Sequence, residues 1–125
     1  MIKTIAWIAA GGAIGAVARF GIVAASAKIG FEFPIGTLAV NLIGSFIVGV
    51  TVGSITQIDS FQAIVHPFFV VGILGAFTTF SAFSIETVAL INDQRWLIAI
   101  VYAVSTTGFC LAAAWVGHRF GQGIT

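Results

Sequence analysis

Charge is what this chain has least of. Only 7% of its 125 residues are charged, five basic and four acidic, and the formal net charge is +1. A soluble domain carries roughly a quarter of its residues as charged groups, so a water-solvated globule is excluded. The near-zero balance also leaves no basic footprint for nucleic acid. One cysteine, Cys110, excludes an intrachain disulfide and lacks partners for a thiolate metal site. What fills the chain instead is apolar: 59% hydrophobic residues, with 12 Phe and 15 Gly and a mean hydropathy of +1.14. Phenylalanine and glycine together suit membrane helices that pack closely.

Hydropathy divides the chain into four spans, at about 4–27, 35–58, 64–91 and 96–117, which form one four-helix transmembrane domain. The first carries Lys3 at its start, is interrupted by glycines and contains Arg19. No A-x-A-like cleavage site follows in register, so it reads as a retained helix rather than a signal peptide. Gly11, Gly15 and Arg19 recur every fourth residue and share a face, small residues leading up to a cation. Arg19 either serves that face or snorkels to the interface. The loop from Lys28 to Pro34 ends the first helix and starts the second, which holds no charge. There Thr37, Asn41, Ser45, Gly49 and Gly53 form one polar, small-residue stripe, the mark of a helix interface or an aqueous path. Asn41 stands out, because a carboxamide at mid-span must find a partner or a ligand.

A polar loop around Gln57–Gln62 precedes the third span, which at about 28 residues exceeds the roughly 20 that a straight helix needs. Its centre reads Gly72-Ile73-Leu74-Gly75-Ala76-Phe77-Thr78-Thr79-Phe80-Ser81-Ala82-Phe83-Ser84. Glycines followed by hydroxyl residues weaken the helical ladder. Irregular backbone at membrane depth survives only buried in protein or beside a water-filled cavity, so a break here would mark a functional site. A continuous helix whose hydroxyls bond back to the preceding turn is the other reading. Glu86 follows one turn after Phe83, and an intramembrane carboxylate is a functional candidate unless it simply pairs with Arg19 or Arg95. Asn92, Asp93, Gln94 and Arg95 make a tight polar turn. Trp96 and Trp115 then anchor the fourth span, along which Tyr102, Thr106 and Cys110 form a weak polar stripe.

Four spans put both termini on one side of the membrane. That side carries Lys3 and Arg119; the other carries Lys28 and Arg95, plus Arg19 if it snorkels. Orientation follows Lys/Arg asymmetry, and here the two sides nearly tie. Oppositely inserted copies can therefore form, and an antiparallel dimer is expected. Four helices are also too few to enclose much of a path alone.

The stretches Gly11–Phe20, Gly36–Phe46 and Gly72–Phe83, in order and at matching depths, are similar to three signatures of the small bacterial fluoride channels, the Fluc (CrcB) family. The resemblance covers the whole chain. It implies an all-α membrane protein of four transmembrane helices, the third broken, working as an antiparallel dual-topology homodimer in the bacterial inner membrane. Such a protein is a channel and not an enzyme. Two antiparallel pores would pass fluoride passively out of the cell and relieve its toxicity. Asn41 would donate to the ion, with Phe80 and Phe83 facing it from opposite subunits. Backbone carbonyls of Gly75 and Thr78 would hold a structural sodium ion at the dimer centre. Arg19 matches the family's arginine on the first helix, and Tyr102 its pore-facing tyrosine on the fourth. Two positions depart from the pattern: Ala82 stands where the family has Thr, which removes a hydroxyl beside Phe83, and Phe20 replaces the usual Tyr.

The residues point to the same ion on physical grounds. Fluoride is small and strongly hydrated, so stripping it in an apolar path costs on the order of ten kcal/mol or more unless donors replace the water. Asn41, Ser81, Thr79 and Thr37 can supply such donors. An aromatic ring has a positive edge, so Phe80 and Phe83 can meet an anion edge-on, although packing is the commoner fate of a membrane phenylalanine. A proton-coupled exporter of small organic cations is the alternative of matching size and topology. It relies on a carboxylate in its first helix, and this first helix has none. A helper subunit that only packs against a larger membrane protein would leave Asn41 and Glu86 without a task.

Overall fold

A computed structural model of the chain describes residues 1–30, 32–54 and 61–124, with the backbone alone at 61–63. Among the described residues every regular element is helical. Helix α1 covers Ile2–Ala27 and α2 covers Ile35–Ser54. A wide helix with i→i+5 hydrogen bonding covers Phe61–Leu74 and contains Pro67, which has no N–H to donate. The single turn α3, Gly75–Phe77, is followed by α4, Phe80–Asn92, and α5, Trp96–Gln122.

Among the described residues four stretches are long and apolar enough to cross a membrane: Ile2–Ala27, Ile35–Ser54, Ile64–Asn92 and Trp96–Gln122. The expected close of the second span at 55–58, and residues 57–60 of the expected polar loop, lie outside the described residues, while Phe61 and Gln62, expected in that loop, begin the wide helix. The fourth helix runs past the expected end at Gly117 because Gly117 and Gly121 keep it flat against α2. A Cβ on Gly117 would strike the Phe46 carbonyl, and one on Gly121 the Val50 carbonyl. Gly49 and Gly53 return the contact from α2 onto Ala114 and His118. In a membrane, where apolar surface gains nothing by leaving lipid, such close backbone approach is what holds two helices together.

The first helix packs mainly on the wide segment, again through small residues. Gly11 and Gly15 are buried, and a Cβ on either would collide with the carbonyls of Phe68 or Ile73. Trp7 and Phe68 meet edge to face at 5.9 Å on the same seam.

On the side opposite the termini, the turn after α4 closes tightly. Gln94 adopts φ 59°, and Arg95 N–H donates to the Leu90 carbonyl. Arg95 then reaches the first loop, where its guanidinium bonds Glu32 at 2.7 Å. Both groups therefore lie on one side, as alternating spans require.

Candidate functional site

The third span changes conformation at two residues. Thr78 (φ −82°, ψ 154°) and Thr79 (φ −152°, ψ 119°) are extended, lying between α3 and α4. Local chemistry accounts for the restart: Thr79 is the N-cap of α4, its hydroxyl accepting from Ala82 N–H at 3.1 Å. Any residue but proline at 82 supplies that N–H, so alanine there keeps the cap. Ser81 Oγ lies 3.0 Å from Thr79 Oγ1 and shares a hydroxyl hydrogen bond with it. On the other side, Thr78 folds its hydroxyl back onto the Leu74 carbonyl at 3.1 Å.

Asn41, at mid-span in α2, meets this point from the side. Its Oδ1 accepts from Thr79 N–H at 2.7 Å and its Nδ2 donates to the Thr79 carbonyl at 3.0 Å. The buried carboxamide thus finds its partner in backbone. One turn further, Gly44 leaves room for the Thr78 methyl and the Phe77 ring, which a Cβ there would meet.

Around these groups lies a groove of about 450 Å³, bounded by α2, the third span and α5. Asn41, Thr79, Phe80 and Phe83 line it, as do Gly75 and Thr78. Phe80 is 78% exposed, and its ring sits 5.4 Å from that of Phe83, tilted by 49°. Thr106 and Cys110 of the fourth-span stripe also face this groove. The Thr106 hydroxyl is buried and has no hydrogen-bond partner among the described residues. The i+4 spacing of Tyr102, Thr106 and Cys110 is the signal that marks it, although only Tyr102 follows from the family resemblance.

Four expected site residues do not line this groove. Thr37 and Tyr102 turn instead to Glu86: Thr37 Oγ1 donates to Oε1 at 2.7 Å and the Tyr102 hydroxyl donates to Oε2 at 2.7 Å. Glu86 therefore pairs with neither Arg19 nor Arg95; two hydroxyls from flanking spans satisfy it, while Arg95 is taken by Glu32. Thr37 is 1% exposed and spends its hydrogen on the carboxylate. Tyr102 is fully buried, its ring 5.2 Å from Phe33 and 5.3 Å from Phe83. Ser81 is exposed beside the groove. Arg19 lies half-buried one turn beyond Gly15, its Nε enclosed and without a hydrogen-bond partner among the described residues.

Fold and site together define a multi-pass helical membrane protein with a mainly apolar groove, carrying a few polar groups, at an irregular point of its third span. The chain belongs to the CrcB family. The profile of that family, described as CrcB-like protein, Camphor Resistance (CrcB), matches residues 6–118. A relative from Magnetococcus marinus named fluoride-specific ion channel FluC is 47% identical, with 94% of this chain and 97% of the relative covered. Proteins of the same name from Aeromonas salmonicida and Alteromonas mediterranea are 42% and 39% identical. The alignments cover 94% of this chain in each case, and 95% and 93% of the relatives.

Proposed function

We propose that the chain is a fluoride-selective channel of the bacterial inner membrane that lets the ion leave the cell passively. The observation that carries this reading is the groove itself, which combines phenylalanine rings with hydrogen-bond donors and has no carboxylate among the described residues that line it. Asn41 has two Nδ2 hydrogens and uses one on Thr79, so the other is free to serve an anion. Phe80 and Phe83 offer positive ring edges, and Thr106 an uncommitted hydroxyl. A carboxylate here would repel an anion, and Glu86, the acid nearest in sequence, is held outside by Thr37 and Tyr102. The fluoride channels to which this chain is related add support from sequence.

The working unit in this proposal is an antiparallel, dual-topology homodimer with two pores. Its support is the tie in Lys and Arg across the membrane and the openness of the groove. Phe80, largely uncovered in one chain, needs a second surface to close a path around an ion.

A structural sodium ion fits the residues present. In a continuous helix the Gly75 carbonyl would receive Thr79 N–H, and the Thr78 carbonyl would receive Ala82 N–H. Those two hydrogens go instead to Asn41 Oδ1 and Thr79 Oγ1. Gly75 and Thr78 are thus among the carbonyls released from the ladder, and oxygen ligands of this kind suit a hard monovalent cation. Bound there, sodium would neutralise the facing carbonyl dipoles and tie two chains together without being transported.

Liposomes loaded with fluoride test the proposal. Purified protein should release fluoride, read by an ion-selective electrode, with no proton gradient and with chloride retained. Release that requires a proton gradient, or none at all, would overturn it.

A further inference from the structure

Asn41 does more than line the groove: it stands in for a rung of the helical ladder. Its carboxamide bonds both the N–H and the carbonyl of Thr79, the two-way pairing a residue makes with its neighbour in an antiparallel sheet. Thr79 is accordingly extended. Every hydrogen bond is a choice between partners, and for Thr79 N–H the competing partner is the Gly75 carbonyl four residues earlier. We infer that Asn41 is the positioning residue that holds the third span open at Thr78–Thr79 and so keeps the Gly75 carbonyl free. Toward a cation, this inference rests on the proposed sodium site at Gly75 and Thr78.

Three features support the assignment. The carboxamide is buried, so the competition takes place away from water, where an unmade bond is costly. Gly44 lies one turn along the same helix and admits Thr78, so α2 supports the irregular point at two successive turns. The Thr79 cap then claims Ala82 N–H and releases Thr78 as well. One side chain on α2 thereby couples the groove to the carbonyls. The Nδ2 hydrogen not given to Thr79 remains for an anion, so clamp and ion contact are compatible.

The experiment uses full-length protein with two variants. Asn41→Leu keeps the volume and removes both bonds. Asn41→Asp keeps an acceptor for Thr79 N–H. Sodium is titrated against thermal stability, with an inert organic cation holding ionic strength, and threonine 13C shifts report whether Thr79 is extended or helical. Asn41→Leu should raise the sodium concentration for half-maximal stabilisation by about tenfold or more, and move Thr79 to helical shifts. Asn41→Asp should keep Thr79 extended and bind sodium at least as well as wild type, although fluoride efflux is lost. A residue that only packs would lower stability without moving the sodium midpoint. Should Asn41→Leu not fold, Asn41→Ser, too short to bond both Thr79 groups, takes its place. The inference is overturned if Thr79 stays extended and the sodium midpoint is unchanged in the folded variant. If wild-type protein shows no sodium dependence, the cation reading fails, and the threonine shifts alone decide the clamp.

Discussion

Tyr102 and Glu86 are joined by a 2.7 Å hydrogen bond in which the phenol donates to Oε2. The carboxylate lies within the third span, where an uncompensated charge is expensive. Thr37 supplies the matching donor to Oε1, so one acid ties the second, third and fourth spans together. The same tyrosine ring packs on Phe83, which lines the groove, so the acid also fixes a wall of the candidate path.

Removing one donor should therefore be costly. Tyr102→Phe leaves Oε2 without its hydrogen bond and should destabilise the folded protein by about 1–3 kcal/mol. In a Glu86→Gln background the same change should cost less, because the partner is no longer a carboxylate. Thermal unfolding in detergent of the four variants of this cycle measures the difference. An additive cycle would show that the pair contributes nothing of its own.

The phenylalanine pair allows a sharper functional test. Phe80→Ile keeps an apolar side chain but deletes the ring edge. Because Phe80 is mostly uncovered, the chain should fold normally while fluoride efflux collapses. Phe83→Ile should lose efflux too, with a further loss of about 0.5–1.5 kcal/mol from its ring contacts. Methionine at either position should do less harm, since its polarisable thioether and methyl hydrogens partly replace the edge. Near-normal efflux from both isoleucine variants, measured in liposomes, would mean the rings only pack.

The seam between α2 and α5 makes a structural prediction. Gly117→Ala drives a methyl into the Phe46 carbonyl, a backbone atom that cannot rotate away. The expected cost is about 1–3 kcal/mol of overpacking strain. Gly108→Ala, on the same helix with nothing within 4 Å of its added Cβ, should be nearly neutral. Equal melting temperatures for the two variants would contradict the packing described.

Orientation is open to manipulation in the same way. About two or three lysines added to one side should bias insertion, since topology follows the basic residues near the span ends. A biased variant expressed alone should lose efflux, and co-expression with an oppositely biased copy should restore it. Full efflux from a population inserted one way would rule out the antiparallel dimer.

The spans were legible in the sequence because a chain with so few charges must satisfy its backbone internally, and length then sets where helices cross. The need for a partner at Asn41 was legible too, since an amide cannot stay unpaired at mid-span. The glycines and hydroxyls of Gly72–Ser84 marked the stretch in which Thr78 and Thr79 are extended. The partners themselves were not legible. Asn41 and Thr79 lie 38 residues apart, and only the packing of α2 on the third span brings the carboxamide to that backbone. For Glu86 the sequence left a functional role or a pairing with Arg19 or Arg95; in the fold it takes two hydroxyls, because helix rotation turns Thr37 and Tyr102 toward it and Arg95 toward Glu32. Periodicity shows which residues share a face; which face meets which is decided by where glycines allow backbones to touch, and that is a property of helix pairs.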